Sequence, residues 1–231
     1  MTAIAPRTSA SPRARPALRL AWAALWLLLG IASVEFLLAA YGKYRHLDSA
    51  AYGMFMTRRP WLWMHLAGGL TAVLLGPVQF FAPWRRRHPR LHRILGRTYL
   101  SGMLVAATGA IGLIATSPAP FAIRLAFSAT ALAWLATALT GVVAIRRGAV
   151  ERHRRWMVRN YAVTLAPIIF RLLLPGAIAG GLTPSPTLIA SLLWCSWVAP
   201  LLACETVRGL AGQRRAWRAE PSGAVRLPGA R

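Results

Sequence analysis

Acidic residues are scarce in this 231-residue sequence, which has 5 Asp and Glu against 28 Lys and Arg. So few carboxylates argue against a hydrolase that needs two of them for acid–base catalysis. Cysteine is also rare, because only Cys195 and Cys204 are present, nine residues apart in one apolar run. On a helix they would be about 14 Å apart along the axis, too far for a disulfide, and their spacing is not that of a zinc site. Phosphate-binding glycine loops and the HExxH and GxSxG motifs are absent too, so none of the hydrolase or metal-site motifs is present apart from the haem ligands considered below.

Hydrophobic residues, in contrast, make up 56% of the chain, and only 14% of residues are charged. Soluble domains carry about a quarter charged residues, and disordered chains are poor in large apolar residues. The net charge of +23 does not indicate nucleic-acid binding, because the basic runs lack the interleaved aromatic residues on which bases stack. Positive charge kept apart from long apolar runs predicts an integral membrane protein.

Six apolar segments are long enough to cross a bilayer as helices. The sequence therefore predicts an all-α, six-helix transmembrane bundle over residues 18–207, with spans at about 20–41, 61–84, 98–116, 121–145, 156–175 and 187–205. Residues 1–17 are predicted to form a disordered basic tail and residues 208–231 a second basic tail. The segments WRRRHPRLHRILGR and RRGAVERHRRWMVR are interpreted as basic turns between spans.

The distribution of cations predicts the orientation of this bundle. Of the 28 Lys and Arg residues, 22 fall in the two tails with the adjoining Arg19, the turn between spans two and three, and the turn between spans four and five. These four segments lie on one side of a six-span bundle. By the positive-inside rule both termini face the cytoplasm of a bacterial inner membrane, where the arginines can also contact anionic lipid headgroups.

Two histidines begin spans on this basic side. At helical spacing His92 shares a face with Gly96, Tyr99, Met103 and Ala106, and His153 shares a face with Asn160, Thr164 and Arg171. Such polar stripes are expected to face the bundle interior, and Pro167 is expected to bend the second of them. Small residues in spans two and three suit either packing within the chain or self-association.

A candidate haem b site follows from this pair. Two facing imidazoles at one membrane level would serve as axial ligands, and nearby arginines would pair with the propionates; these are Arg93, Arg97, Arg152 and Arg155. Two other interpretations stay open, namely histidines hydrogen-bonded or hydrated at the interface, and a site for an anionic lipid headgroup.

A second candidate site lies toward the outer side. Glu35 and Arg171 are each about 22 Å from the inner boundary of their spans, so they are candidates for an intramembrane ion pair. His65 lies one turn inside the outer end of span two. Glu35, His65 and Arg171 would then form an outer polar pocket that moves protons or holds an anionic ligand, or a buried pair that only orients helices.

The motifs resemble those of one bacterial family of predicted membrane proteins, called domain of unknown function two thousand three hundred and six. The resemblance rests on His65 with Gly69, on the Gly76-Pro77-x-Gln79 motif, on HRxxGRxY beginning at His92, and on His153-x-x-Trp156-Met157-x-Arg159 with Arg171. It implies a multi-pass membrane protein and no particular activity. The HRxxGR segment is also similar to membrane cytochromes of the b561 type, which hold two haems between two histidine pairs, whereas here His65 has no second intramembrane histidine on its side.

Three functions are compatible with these features. The leading one is haem-b-dependent electron transfer across the membrane, with a protein or quinone as redox partner. The first alternative is a non-enzymatic binder or carrier of a small anionic solute or lipid. The second is a structural or assembly subunit.

Overall fold

The computed structural model describes residues 14–45 and 52–219, and the regular elements in these stretches are all helices. In chain order they are α1 (Ala14–Tyr44), a 3₁₀ helix (Gly53–Arg58), α2 (Arg59–Phe80), α3 (Ala82–Arg87), α4 (Pro89–Ala115), α5 (Phe121–Arg146), α6 (Val150–Thr164), α7 (Ala166–Ala179) and α8 (Pro186–Ala219). The predicted all-α class is confirmed. Most of the two predicted tails, residues 1–13 and 220–231, lies outside the described residues.

Five helical segments within the described residues are long and apolar enough to cross a membrane. They are Trp26–Tyr44, Gly53–Phe80, Pro89–Ala115, Phe121–Arg146 and Pro186–Leu210. The sixth predicted span corresponds to α6 and α7, which pass the same criterion together but are bent by 42° at their junction. The protein is therefore a multi-pass helical membrane protein with five spans, or six when the bent pair is counted as one span.

The bend between α6 and α7 lies beside the proline that predicted it. Thr164 ends α6, Leu165 joins the two helices, and Pro167 lies in the first turn of α7. Proline has no N–H to offer the carbonyl four residues before it. The Val163 carbonyl is therefore left without that helical donor, and the chain changes direction there.

The two basic segments predicted as turns are largely helical, so that prediction is wrong. Only His88 interrupts helix between Ala82 and Ala115, and Pro89 then occupies the first position of α4, where proline needs no hydrogen-bond donor. In the second segment α6 begins at Val150, immediately after a short turn. The helices extend beyond the apolar runs because arginine is a good helix former, and a helix does not have to end where the apolar segment ends.

Helices α2 and α4 approach each other through small residues. A Cβ atom added at Gly68 would collide with the Gly102 carbonyl and the Ala106 backbone. One added at Gly109 would lie 2.5 Å from the backbone nitrogen of His65. The small-residue faces of these two helices are thus covered within one chain. Close backbone approach of this kind is how membrane helices associate when hydrophobic burial gives no advantage over lipid.

The chain divides into two compact units at the Arg59–Pro60 bond. In the N-terminal unit the Tyr52 hydroxyl donates to the Tyr44 carbonyl at 3.1 Å, and the Arg58 Nη2 donates to the Met54 carbonyl at 2.8 Å. The first bond joins Tyr52 to the last residue of α1, and the second lies within the 3₁₀ helix. The larger unit carries the candidate sites described next, apart from Glu35.

Candidate functional site

A buried polar network links α4, α5 and α6 in the larger unit. Asn160 is fully buried, and its Nδ2 donates to the Trp134 carbonyl at 2.8 Å and to the Thr137 hydroxyl at 3.0 Å. Its Oδ1 accepts a hydrogen bond from the Tyr99 hydroxyl at 2.6 Å. The Thr164 hydroxyl accepts from Trp134 Nε1 at 2.8 Å. Because the groups pair with one another, this network can be buried at little cost and holds the three helices in one register.

This network confirms the inward-facing stripe predicted for α4 and, as far as Thr164, the one predicted for α6. Tyr99, Met103 and Ala106 of α4 are buried, as are Asn160 and Thr164 of α6. The Tyr99–Asn160 bond also shows that α4 and α6 face each other at this level.

His92 and His153 lie two turns from the Tyr99–Asn160 bond. Each histidine precedes its network residue by seven positions, about 10.5 Å along the helix and about 20° from the same face. The two imidazoles are near enough to interact electrostatically, and both side chains are half-buried. The structure therefore brings the two imidazoles within electrostatic range of each other, each two turns from its network residue.

The His153 ring is held by the backbone of α5. Its Nδ1 donates to the Gly141 carbonyl at 2.8 Å, which leaves Nε2 as the unprotonated nitrogen of the neutral ring. A Cβ at Gly141 would lie 2.9 Å from Met157 Sδ, so the glycine permits the close approach of α6 to α5 near this bond. The arrangement fixes the ring orientation and leaves Nε2 as the nitrogen that can bind a metal.

His92 has a different environment. Its Nδ1 is buried and has no hydrogen-bond partner among the described residues, and the same is true of Gln79 Nε2. Arg85 interacts electrostatically with the His92 ring. Two unsatisfied polar atoms in one region are unusual in a folded protein and mark this end of the bundle as a candidate binding site.

The arginines predicted to pair with propionates lie around this end. The side chains of Arg93, Arg97, Arg152 and Arg155 are exposed. The half-buried Arg85 is nearer to His92 than the sequence reasoning anticipated, because α3 and α4 continue as helices through the segment predicted as a turn. The structure has a shallow concavity of about 310 Å³ at Arg87–Leu91, where the sequence predicted no pocket.

The Gly76-Pro77-x-Gln79 motif has a structural explanation in α2. A Cβ at Gly76 would collide with the Tyr161 ring. Pro77 has no N–H for the Val73 carbonyl four residues earlier, and the Tyr161 hydroxyl donates to that carbonyl at 3.4 Å instead. Gly76 therefore leaves room for the Tyr161 ring, and Pro77 leaves the Val73 carbonyl without a helical donor. The Tyr161 hydroxyl supplies the missing hydrogen bond.

We expect Tyr161→Phe to destabilise the protein by about 1 kcal/mol, the usual net contribution of one hydrogen bond. In a Pro77→Ala background the Val73 carbonyl regains a helical donor, so the same substitution should cost clearly less. Thermal unfolding in detergent of the four proteins of this double-mutant cycle measures the difference. Equal costs in both backgrounds would contradict the explanation.

The outer candidate site is represented by His65 and Arg171 in the larger unit. His65 Nδ1 donates to the Ala106 carbonyl at 3.0 Å, and Arg171 lies within electrostatic range of the His65 ring. Glu35 belongs to the N-terminal unit, where it is exposed and lines a shallow groove with Trp26 and Ile31. Two of the three predicted members of the outer pocket are thus near each other.

The expectation that Arg171 faces the bundle interior is wrong. Its side chain is exposed, and its Nη1 donates to the Pro167 carbonyl at 3.2 Å in its own helix. The prediction extended one straight helix from His153 to Arg171. The break at Leu165 ends that periodicity, so the stripe stays inside only as far as Thr164.

Sequence reasoning missed several residues of the basic-side site. Trp134 and Thr137 complete the network from α5, a helix whose apolar pattern gives no signal of a polar partner. Gly141, which accepts the His153 hydrogen bond, also had no signal. Gln79 and Asn160, the latter the sole asparagine of the sequence, are visible as polar residues inside apolar runs.

These features define a class of protein. It is a multi-pass helical membrane protein whose larger unit contains a buried polar network and, two turns from that network, two histidines. Residues 62–207, more than half of the chain, match the family described as "Predicted membrane protein (DUF2306)". The chain belongs to this family, as its motifs indicated. No curated protein and no solved structure shows significant similarity to the chain.

Proposed function

We propose that this protein binds one haem b at the basic end of its larger unit, the end where α4 and α6 begin among the arginine-rich segments. It would then transfer electrons across a bacterial inner membrane. The observation that supports it best is the placement of His92 and His153 on facing helices, two turns beyond the Tyr99–Asn160 bond. Bis-histidine ligation needs two imidazoles at one depth on opposing elements. A protein or a quinone would be the redox partner.

The residues at this end fit the chemistry of the cofactor. His153 is held with Nε2 as the coordinating nitrogen, and His92 offers a second imidazole from α4. Gly96, one turn after His92, adds no side chain on the same face. Arg93, Arg97 and Arg155 would bind the propionates through charge-assisted hydrogen bonds. When bound, haem b supplies one-electron chemistry by alternating between ferric and ferrous iron.

The test is the haem content of protein purified in detergent from cells supplied with haem. The reduced-minus-oxidised spectrum should show a b-type band at one haem per chain, and the His92→Ala/His153→Ala double variant should lose it. His88→Ala, which changes an exposed histidine of the same segment, should keep the band. Folded wild-type protein without haem would overturn the proposal.

We also propose that both termini face the cytoplasm and that the basic end contacts anionic lipid headgroups. The distribution of arginine supports this orientation. The test uses a phosphatase that is active only outside the cytoplasm. Fused after Ser185 it should be active, and fused after Ala219 it should be inactive. The reverse pattern would contradict the orientation.

A second candidate function is the binding of a small anion near His65 and Arg171, which the electrostatic proximity of these two residues favours. Inorganic phosphate should then raise the unfolding temperature of the wild type and have less effect on Arg171→Leu. Arg124→Leu, which removes another arginine outside the four cation-rich segments, is the matched control. Equal responses of wild type and Arg171→Leu would exclude this site.

A further inference from the structure

Gln79 and His92 each bury a polar atom without a partner. These atoms are Gln79 Nε2 and His92 Nδ1, and neither has a hydrogen bond within the described stretches of the chain. Leaving such a group unpaired is unfavourable in a folded protein, and nearly all buried polar groups have a partner. Two unpaired atoms in one region suggest that they belong together in the functional form of the protein.

One contact brings the Gln79 side chain to the His92 face of α4, and a second joins the Gln79 backbone to Arg85. Gly96 lies one turn after His92, and a Cβ added there would be 3.4 Å from Gln79 Oε1. Arg85 Nη1 donates to the Gln79 carbonyl at 3.5 Å and also interacts electrostatically with His92. Gln79, Arg85 and His92 thus form one cluster where α2, α3 and α4 meet.

We propose that Gln79 is a positioning residue that accepts a hydrogen bond from His92 Nδ1–H through its side-chain oxygen. This role depends on the proposed haem ligation. When Nε2 of His92 binds iron, Nδ1 carries the proton and needs an acceptor. The side-chain amide of Gln79 carries an oxygen acceptor beside Nε2, and a rotation of this side chain would bring that oxygen to His92 Nδ1.

The pair of ligands is then held in two different ways. His153 donates to a backbone carbonyl, that of Gly141, which substitution of a side chain cannot remove directly. His92 depends on a side chain from another helix. An acceptor at Nδ1 raises the electron density of the imidazole and favours the ferric state, so Gln79 would lower the midpoint potential through His92.

The experiment compares wild type, Gln79→Leu and Gln79→Glu, with Val78→Ala as a control at the neighbouring position of α2. Loss of an outer-shell partner typically weakens metal binding 10–100-fold, so Gln79→Leu should release haem at least about tenfold faster. If the substitution weakens ferric binding about tenfold more than ferrous binding, the midpoint potential rises by about 59 mV. Gln79→Glu restores an acceptor and should return the potential to the wild-type value or below it.

The outcomes separate this role from the proposed function itself. A wild type without haem overturns both the proposed function and this role of Gln79. A haem-containing wild type whose potential and haem release match those of Gln79→Leu overturns the role of Gln79 alone. Equal defects in Gln79→Leu and Gln79→Glu would show a packing role and would also overturn it.

Discussion

Asn160→Leu should destabilise the larger unit by about 2–4 kcal/mol. The substitution removes one of the donors to the Trp134 carbonyl, and removes a partner from Thr137 and from Tyr99. The Trp134 carbonyl keeps the Thr137 hydroxyl as a donor. The Tyr99 hydroxyl keeps Thr164 as a partner, so the cost is that of three lost hydrogen bonds at about 0.5–1.5 kcal/mol each. Thermal and denaturant unfolding in detergent would measure the loss.

Two threonines of α5 provide a matched control for that result. Thr137 is buried and accepts from Asn160, whereas Thr140 is half-buried and bonds, within the described residues, to the Ala136 carbonyl of its own helix. Thr137→Val should therefore destabilise the protein and Thr140→Val should not. If Asn160→Leu unfolds like the wild type, the network does not hold these helices together.

Gly68→Ala should destabilise the protein by about 1–3 kcal/mol, because the added methyl group collides with the backbone of α4. The collision involves the Gly102 carbonyl and the Ala106 backbone, which cannot rotate away as a flexible side chain would. The helices must separate, and the His65–Ala106 hydrogen bond would lengthen with them. Chemical denaturation of the purified variant measures the cost.

The adjacent glycine tests the same change without the collision. A Cβ at Gly69 would meet no atom within 4 Å. Gly69→Ala should therefore be neutral or stabilise α2 by up to about 1 kcal/mol, the helix-propensity difference between alanine and glycine. Similar destabilisation by both substitutions would contradict the close packing of α2 on α4.

Much of this fold could be predicted because it depends on local pattern. Apolar runs bounded by arginine predict membrane helices, and a period of 3.6 predicts which residues of α4 and α6 share a face. Asn160, Thr164 and Tyr99 are polar residues in such runs, and their burial follows from the cost of exposing them to lipid. Pro167 similarly predicted the bend.

Other features depend on which helices are neighbours, and a single amino-acid sequence does not show which helices pack against each other. The position of Arg171 was wrong because a break of a single residue at Leu165 rotates everything after it. Trp134 and Gly141 join the site through α5, whose sequence reads as uniformly apolar. The helical continuation through Arg85 and its neighbours was missed because charge density was interpreted as a turn.

Electron paramagnetic resonance of the oxidised protein tests the central claim most directly, since it reports whether two imidazoles bind the same iron. Wild type should give a low-spin ferric signal. His92→Ala and His153→Ala should each lose it, retaining either a high-spin signal or no haem, while His88→Ala should match wild type. A low-spin signal that survives either single substitution, or a wild type without haem, would contradict the assignment of His92 and His153 as paired ligands.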